Sequence, residues 1–161
     1  MTLSRFTPWP AALLLAAFAL TVVSSAHAGS SARVNVDKSG VALHGHDPVA
    51  YFTAGKPTPG KAEFTATHEG ATYRFASAEN LAAFKADPAK YAPQYGGWCA
   101  YGVAKGGKFD VDPQVWKVVD GKLYLNFNAS VGRTWSQDIP GYLKRSEAEW
   151  PKIKDTPADK L

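Results

Sequence analysis

A single thiol, Cys99, stands in the run Tyr95-Gly96-Gly97-Trp98-Cys99-Ala100-Tyr101-Gly102-Val103-Ala104. Two glycines ahead of an aromatic, a thiol and a helix-compatible Ala/Val run describe a tight loop entering a helix. In the first turn of such a helix, unpaired amides and the macrodipole favour thiolate over thiol, so the spacing predicts a lowered pKa. A thiolate there suits soft-metal binding and redox chemistry equally. A small hydrophobe packed in an aromatic core is the third reading of the same residue. Gly96 and Gly97 read as a simple tight turn or as room for another backbone or a ligand to come close. His44 and His46 stand two apart and point the same way on an extended segment. With Cys99 they make a Cys-His pair or a Cys-His₂ set. His68 reads as a hairpin-loop residue, and Asp47, directly before Pro48, as a helix cap rather than a ligand.

Several other chemistries are excluded by what the chain lacks. There is no Gly-x-Ser-x-Gly elbow, no phosphate-binding glycine fingerprint and no His-Glu-x-x-His pair. One cysteine rules out a disulfide framework, a zinc ribbon and a CxxC redox pair. Met1 is the only methionine, so no thioether is available as the axial ligand of a blue-copper centre. The net charge is +4, with Lys and Arg interspersed among acids and no basic run, which gives nucleic-acid binding no footing.

The chain of 161 residues opens with Arg5, an apolar run Ala11–Val23 and then Ala26-His27-Ala28, the order of a secretory signal peptide with a small-residue cleavage site. As a helix the run spans about 20 Å against about 30 Å of bilayer hydrocarbon, too short to anchor. The expected organisation is a signal peptide over 1–28, a flexible segment over 29–40, one domain over 41–153 and a disordered tail over 154–161. Removing the signal leaves roughly 130 residues, one domain's worth, without a membrane span and destined for the periplasm or the exterior.

The elements that must position Cys99 follow from turn and capping signals. Glu63–Thr67 and Ala71–Ala76 flank His68-Glu69-Gly70, which predicts a three-residue hairpin. Ser77 caps a helix that ends at Asp87, before Pro88, and a short turn over Ala89–Ala92 follows. Val115–Val119 and Lys122–Phe127 flank Asp120-Gly121, the strongest hairpin signal in the chain, with Leu123, Leu125 and Phe127 alternating against Tyr124 and Asn126. The pattern turns helical again to Trp150, with Pro140 at a start position. Two antiparallel hairpins, each followed by helix and with no βαβ unit, give an α+β fold in a single domain. No internal repeat is visible.

Taken in order, Gly45-His46-Asp47-Pro48-Val49-Ala50-Tyr51-Phe52, Tyr73-Arg74-Phe75-Ala76-Ser77-Ala78-Glu79-Asn80, Tyr91–Ala100, and Asp112-Pro113 through Tyr124-Leu125-Asn126 resemble exported, free-standing bacterial YHS-domain proteins, from about Val41 to Pro151. The resemblance implies a small α+β domain associated with metals, in a group that includes selenoprotein members, which favours a reactive residue at Cys99. Metal-binding relatives use more than one cysteine, and this chain departs from them. The expectation is a carrier or sensor of copper, as Cu(I), through Cys99, His46 and His44, with Gly96, Gly97, Trp98 and Asp47 as the supporting loop. Expected partners are a metal ion or small ligand and an envelope metal-handling or redox protein. Thiol redox chemistry at Cys99, and a non-catalytic module binding a ligand or partner with Cys99 packed in the core, stand as alternatives.

Overall fold

In the computed structural model residues 32–161 are described; the expected signal peptide lies outside them. The described chain opens on a 3₁₀ turn, Leu43–Gly45, followed by α1 (Ala50–Thr53), the antiparallel hairpin β1 (Lys61–His68) and β2 (Ala71–Phe75), and helices α2 (Ala78–Ala86) and α3 (Pro88–Tyr91). A second 3₁₀ turn, Gln94–Gly97, leads to α4 (Ala100–Val103), the hairpin β3 (Asp112–Val119) and β4 (Lys122–Asn126), and helices α5 (Ala129–Ser136) and α6 (Ile139–Ile153). Two small antiparallel sheets with six α-helices among the described residues make the expected α+β fold. No helix among them is long and apolar enough to cross a membrane.

Capping chemistry sets the helix starts. Ser77 accepts from the Asn80 N–H, Asp87 from Lys90, Asn128 from Val131 and Asp138 from Gly141, each filling an orphan amide of a first turn. The first hairpin turns on two residues and not three: His68 pairs with Ala71, and Glu69 and Gly70 both adopt positive φ, 49° and 79°. That is the backbone a two-residue turn needs to match strand twist, and Asp120 and Gly121 repeat it at 50° and 71°.

The match between the hairpins extends to everything around them, so the chain does hold an internal repeat. Leu43 and Gln94, Lys61 and Asp112, Ala71 and Lys122, and Ala78 and Ala129 each open the same element, always at the same spacing along the chain. Both hairpins slip register at the same place, between Lys61 and Thr65 and between Asp112 and Trp116. The caps Ser77 and Asn128 keep the spacing. From β1 to the end of α2 only Gly70, Tyr73 and Ala78 match their counterparts Gly121, Tyr124 and Ala129. What recurs is turn geometry and register, and side-chain identity hides it.

Two apolar clusters follow. One gathers Leu43, Val49, Tyr51, Tyr73, Phe75, Phe84, Leu123 and Leu125, and the other Tyr95, Val103, Tyr124, Trp135 and Ile153. β4 separates them, sending Leu123 and Leu125 to one side and Tyr124 to the other. Phe127, expected beside the leucines, falls just past the strand end and is half exposed.

The segments expected to be loose are tied down. Val34 is buried, the Asn35 N–H donates to the Gly96 carbonyl at 2.9 Å, and Arg33 pairs with Asp155. The fastening is Lys108, a buried ammonium whose three donors go to the carbonyls of Ala32, Lys154 and Thr156 at 2.7, 2.7 and 2.6 Å. Its charge also lies 5.9 Å from the ring centroid of Trp98 and 5.5 Å from that of Trp150, within reach of cation–π attraction. One side chain thus clamps both ends of the described chain, because an ammonium has three donors and finds three acceptors. Lys108→Met keeps the stem and removes every donor, leaving three carbonyls short of a partner. It should cost about 2–4 kcal/mol in urea unfolding and speed proteolysis at both termini.

Candidate functional site

Cys99 occupies the cap position of α4. Its N–H donates to the Phe109 carbonyl at 3.0 Å, its Sγ accepts from the Gly102 N–H at 3.4 Å, and its S–H reaches the Asn126 Oδ1 at 3.7 Å. The residue is 1% exposed. Burial pushes the thiol up, and the amides of Gly102, Phe127 and Tyr101 offset it only in part. The expected lowering is therefore reversed. The helix behind the thiol is a single turn, too short for a macrodipole to outweigh desolvation.

The glycines ahead of it serve the chain's own packing. Gly96 and Gly97 hold φ of 61° and 80°, and a Cβ on Gly96 would fall 1.9 Å from the Arg33 carbonyl oxygen. The close approach is made by the N-terminal segment, not by a ligand. Trp98 belongs to the same contact, its indole N–H donating to the Arg33 carbonyl at 3.2 Å.

The histidines do not join Cys99. Leu43 and His44 take left-handed φ of 53° and 50°, so the segment is a tight turn and not extended, and the shared direction expected for His44 and His46 is lost. His44 Nε2 lies 2.8 Å from Asp110 Oδ1, while His46 Nδ1 turns back to the Leu43 carbonyl at 3.2 Å. Burial opposes the charge on Asp110, yet hydrogen bonds from Asn35, His44 and the Val111 N–H outweigh it and hold that carboxyl below the usual range. His68 ends β1 and packs edge-on against Phe84 at 5.8 Å, so it is a strand residue and not a loop one. Asp47 is the cap expected, accepting from Val49 and Ala50, and it does more besides.

Among the described residues no three His, Cys, Asp or Glu side chains gather as a metal site would require. Cys99, His46 and His44 are not brought together in one such group. The environment of the thiol agrees: its cavity is lined by Tyr101, Gly102, Phe109, Phe127 and Val131, with Lys105 the one charge, and a cation beside a lysine is repelled. These residues do not fit a self-contained metal centre.

They do form an apolar groove of about 340 Å³ with Cys99 in its wall. Phe109 and Phe127 flank it at 55% and 51% exposure, the most exposed large apolar side chains among the described residues. Phe109 lies against two glycines; a Cβ on Gly102 or Gly107 would stand 2.5 or 2.8 Å from its ring. The repeat explains the opening. With the starts of α1 and α4 aligned, Ala50 on Ala100, Gly102 stands where the first unit has Phe52, which packs edge-on against Tyr91 at 5.4 Å. Sequence reasoning missed Phe109, Phe127 and Lys105. The available signal was the pair Gly106-Gly107, a turn followed two residues later by the aromatic Phe109.

The thiol's state is open to a direct check. Iodoacetamide should label Cys99 in the folded protein more slowly than a model thiol at neutral and slightly acidic pH. Its rate should rise only above the ordinary thiol range, and guanidinium should abolish the difference. Faster labelling than the model thiol would show a thiolate instead.

No curated protein and no solved structure matches the chain. A family model does match, that of the YHS domain, over residues 49–95. YHS domains are a metal-associated family. The matched stretch runs from just ahead of α1 to Tyr95, essentially the first of the two structural units, and stops short of Cys99. Over Val49 to Tyr95, with its one-turn helix, slipped hairpin and paired helices, the chain is similar to the YHS domain.

Proposed function

We propose that this protein is an exported binding module that takes the apolar part of a ligand into the groove between Phe109 and Phe127, with Cys99 as a packed part of its wall and not a nucleophile. One observation carries the reading: two half-exposed phenylalanines flank an apolar groove that a glycine has opened. Such groups stay in water at a cost in hydration that a ligand's apolar surface removes. Lys105, at 5.5 Å from the Tyr101 ring centroid, supplies a single charge. Anilinonaphthalene sulfonate, an aromatic body with one anionic group, is a suitable probe. It should bind with a fluorescence rise, and Phe109→Ser or Phe127→Ser should weaken it about tenfold, as half a phenyl ring's burial is worth roughly 1–1.5 kcal/mol. Gly102→Ala, which pushes on the Phe109 ring, should weaken it as well. Unchanged affinity in all three variants would overturn the proposal.

Copper binding is the second reading, supported by the family's association with metals and by a thiol that borders a cavity. It predicts one equivalent of Cu(I) held against a competing chelator and lost in Cys99→Ser. The groove reading predicts that parent and Cys99→Ser titrate alike. A Cys99-dependent equivalent would put the metal reading first, and with it a metal-handling partner.

Export belongs to the same proposal, supported by Arg5, the apolar run and Ala26-His27-Ala28. Intact mass of the envelope fraction should begin at Gly29. A full-length cytoplasmic species would remove the compartment from the proposal.

A further inference from the structure

We propose that a second cavity, between β3 and α5, binds a small organic anion through one or more carboxylates, which accept from Lys117 and Arg133 and, once seated, from the indole N–H of Trp135. The cavity measures about 450 Å³ and no Asp or Glu lines it. That volume suits a small metabolite. It is separate from the groove over Cys99 and does not depend on that groove's role.

Three observations converge here. The Trp135 side chain is buried, lines the cavity, and its Nε1 has no hydrogen-bond partner among the described residues. Buried donors are almost always paired, and this one, closed to solvent as the side chain lies, is reached by an acceptor in the cavity only if the wall around the indole yields. The two cations of the lining, Lys117 and Arg133, are exposed and form no ion pair among the described residues, so both are free to meet an anion. Asn126 also borders the cavity; its Oδ1 already accepts from the Tyr101 N–H at 3.1 Å, so the group it can offer is the donor Nδ2. Everything charged or orphaned in this wall donates.

The repeat shows that the donors replace a core. With Lys61 aligned on Asp112, Gly132 stands for Leu81, Asn126 for Phe75, Lys117 for Ala66, Arg133 for Ala82 and Trp135 for Phe84. In the first unit Phe64, Ala66 and Leu81 close over the buried Phe75 and Phe84. The second unit keeps the backbone register and exchanges apolar filling for space, positive charge and N–H groups. At Gly132 itself helix and strand are in contact, since a Cβ there would meet Val115 Cγ1 at 2.5 Å, and the cavity opens beside that contact. A carboxylate suits such a wall, because it accepts only and can take two charged donors and an indole N–H at once.

Citrate is the probe and inorganic phosphate the control, titrated into the mature protein while the Trp135 indole N–H resonance is followed. Citrate should bind saturably and move that resonance downfield. Lys117→Gln and Arg133→Gln, both at exposed positions, should each weaken binding about three- to tenfold. Trp135→Phe should lose affinity while both exposed-charge variants report on the site even if it folds poorly. Citrate binding that leaves the Trp135 resonance unmoved, or that survives loss of both cations, would overturn the proposal. So would phosphate binding as tightly as citrate, which would mark a bare charge effect, and so would an absence of saturable binding.

Discussion

The carboxylate of Asp47 is the constraint on which the fold's first unit depends. It is fully buried, and four donors surround it: the N–H groups of Val49 and Ala50 on Oδ1, at 2.8 and 3.3 Å, and the Ala76 N–H and Asn80 Nδ2 on Oδ2, at 2.8 and 2.6 Å. One side chain thereby fixes the start of α1, the end of β2 and the first turn of α2, elements far apart in sequence. A buried carboxylate is costly unless its oxygens are satisfied, and here both are, by donors alone. Removing it would strand several N–H groups in a dry interior, a loss of about 3–5 kcal/mol in comparable buried networks. The left-handed φ of His44 and Gly45 recurs at Tyr95 and Gly96, so that turn belongs to the backbone both units share and not to Asp47.

The second unit repeats the backbone without the carboxylate. Its loop from Gly96 to Ala100 is one residue shorter than the loop from Gly45 to Ala50, and Gly97 and Trp98 stand where an aspartate would be. Cys99 and Asn126 take over part of the work: the sulfur accepts the Gly102 N–H, and the Asn126 Oδ1 accepts the Tyr101 N–H and the thiol. These are neutral and longer bonds than those of Asp47, so the joint between α4 and β4 is held more weakly than that between α1 and β2. What the second unit lacks in polar fastening comes from outside it. α6 packs on α4, with the Ser146 hydroxyl donating to the Ala100 carbonyl at 3.1 Å, and Lys108 closes the chain ends over the same side.

Much of this was legible in the sequence where the signal is local. Asp120-Gly121, the cap Ser77, the helix end before Pro88, Pro140 near a helix start and the α+β class all follow from backbone preferences that a few residues express by themselves. Two readings failed for a common reason. The His44–His46 alignment assumed an extended strand, and the lowered thiol pKa assumed a longer helix; in both, tertiary packing set the backbone that the local pattern left open. The ends were read as loose because their composition is small and polar, while the Lys108 clamp joins residues 76 and 46 positions away and leaves no pattern in the chain. The repeat was invisible because glycine signs and register, not residue types, are what the two units share.

The comparison of the units also says where stability and binding reside. A buried Phe75 in one becomes a buried Asn126 in the other, and a buried amide must find partners that a phenyl ring never needed. Asn126 meets that demand on one side through Tyr101 and Cys99, beside the apolar groove, and on the other it borders the cavity under α5. The same side chain therefore belongs to both openings of the second unit. Any movement of α5 against β4 that shifts Asn126 must also shift the hydrogen bond holding the first turn of α4, and with it the glycine over which Phe109 lies. The first unit fills the corresponding space with Phe64, Phe75, Leu81 and Phe84, so its core offers no polar link of this kind.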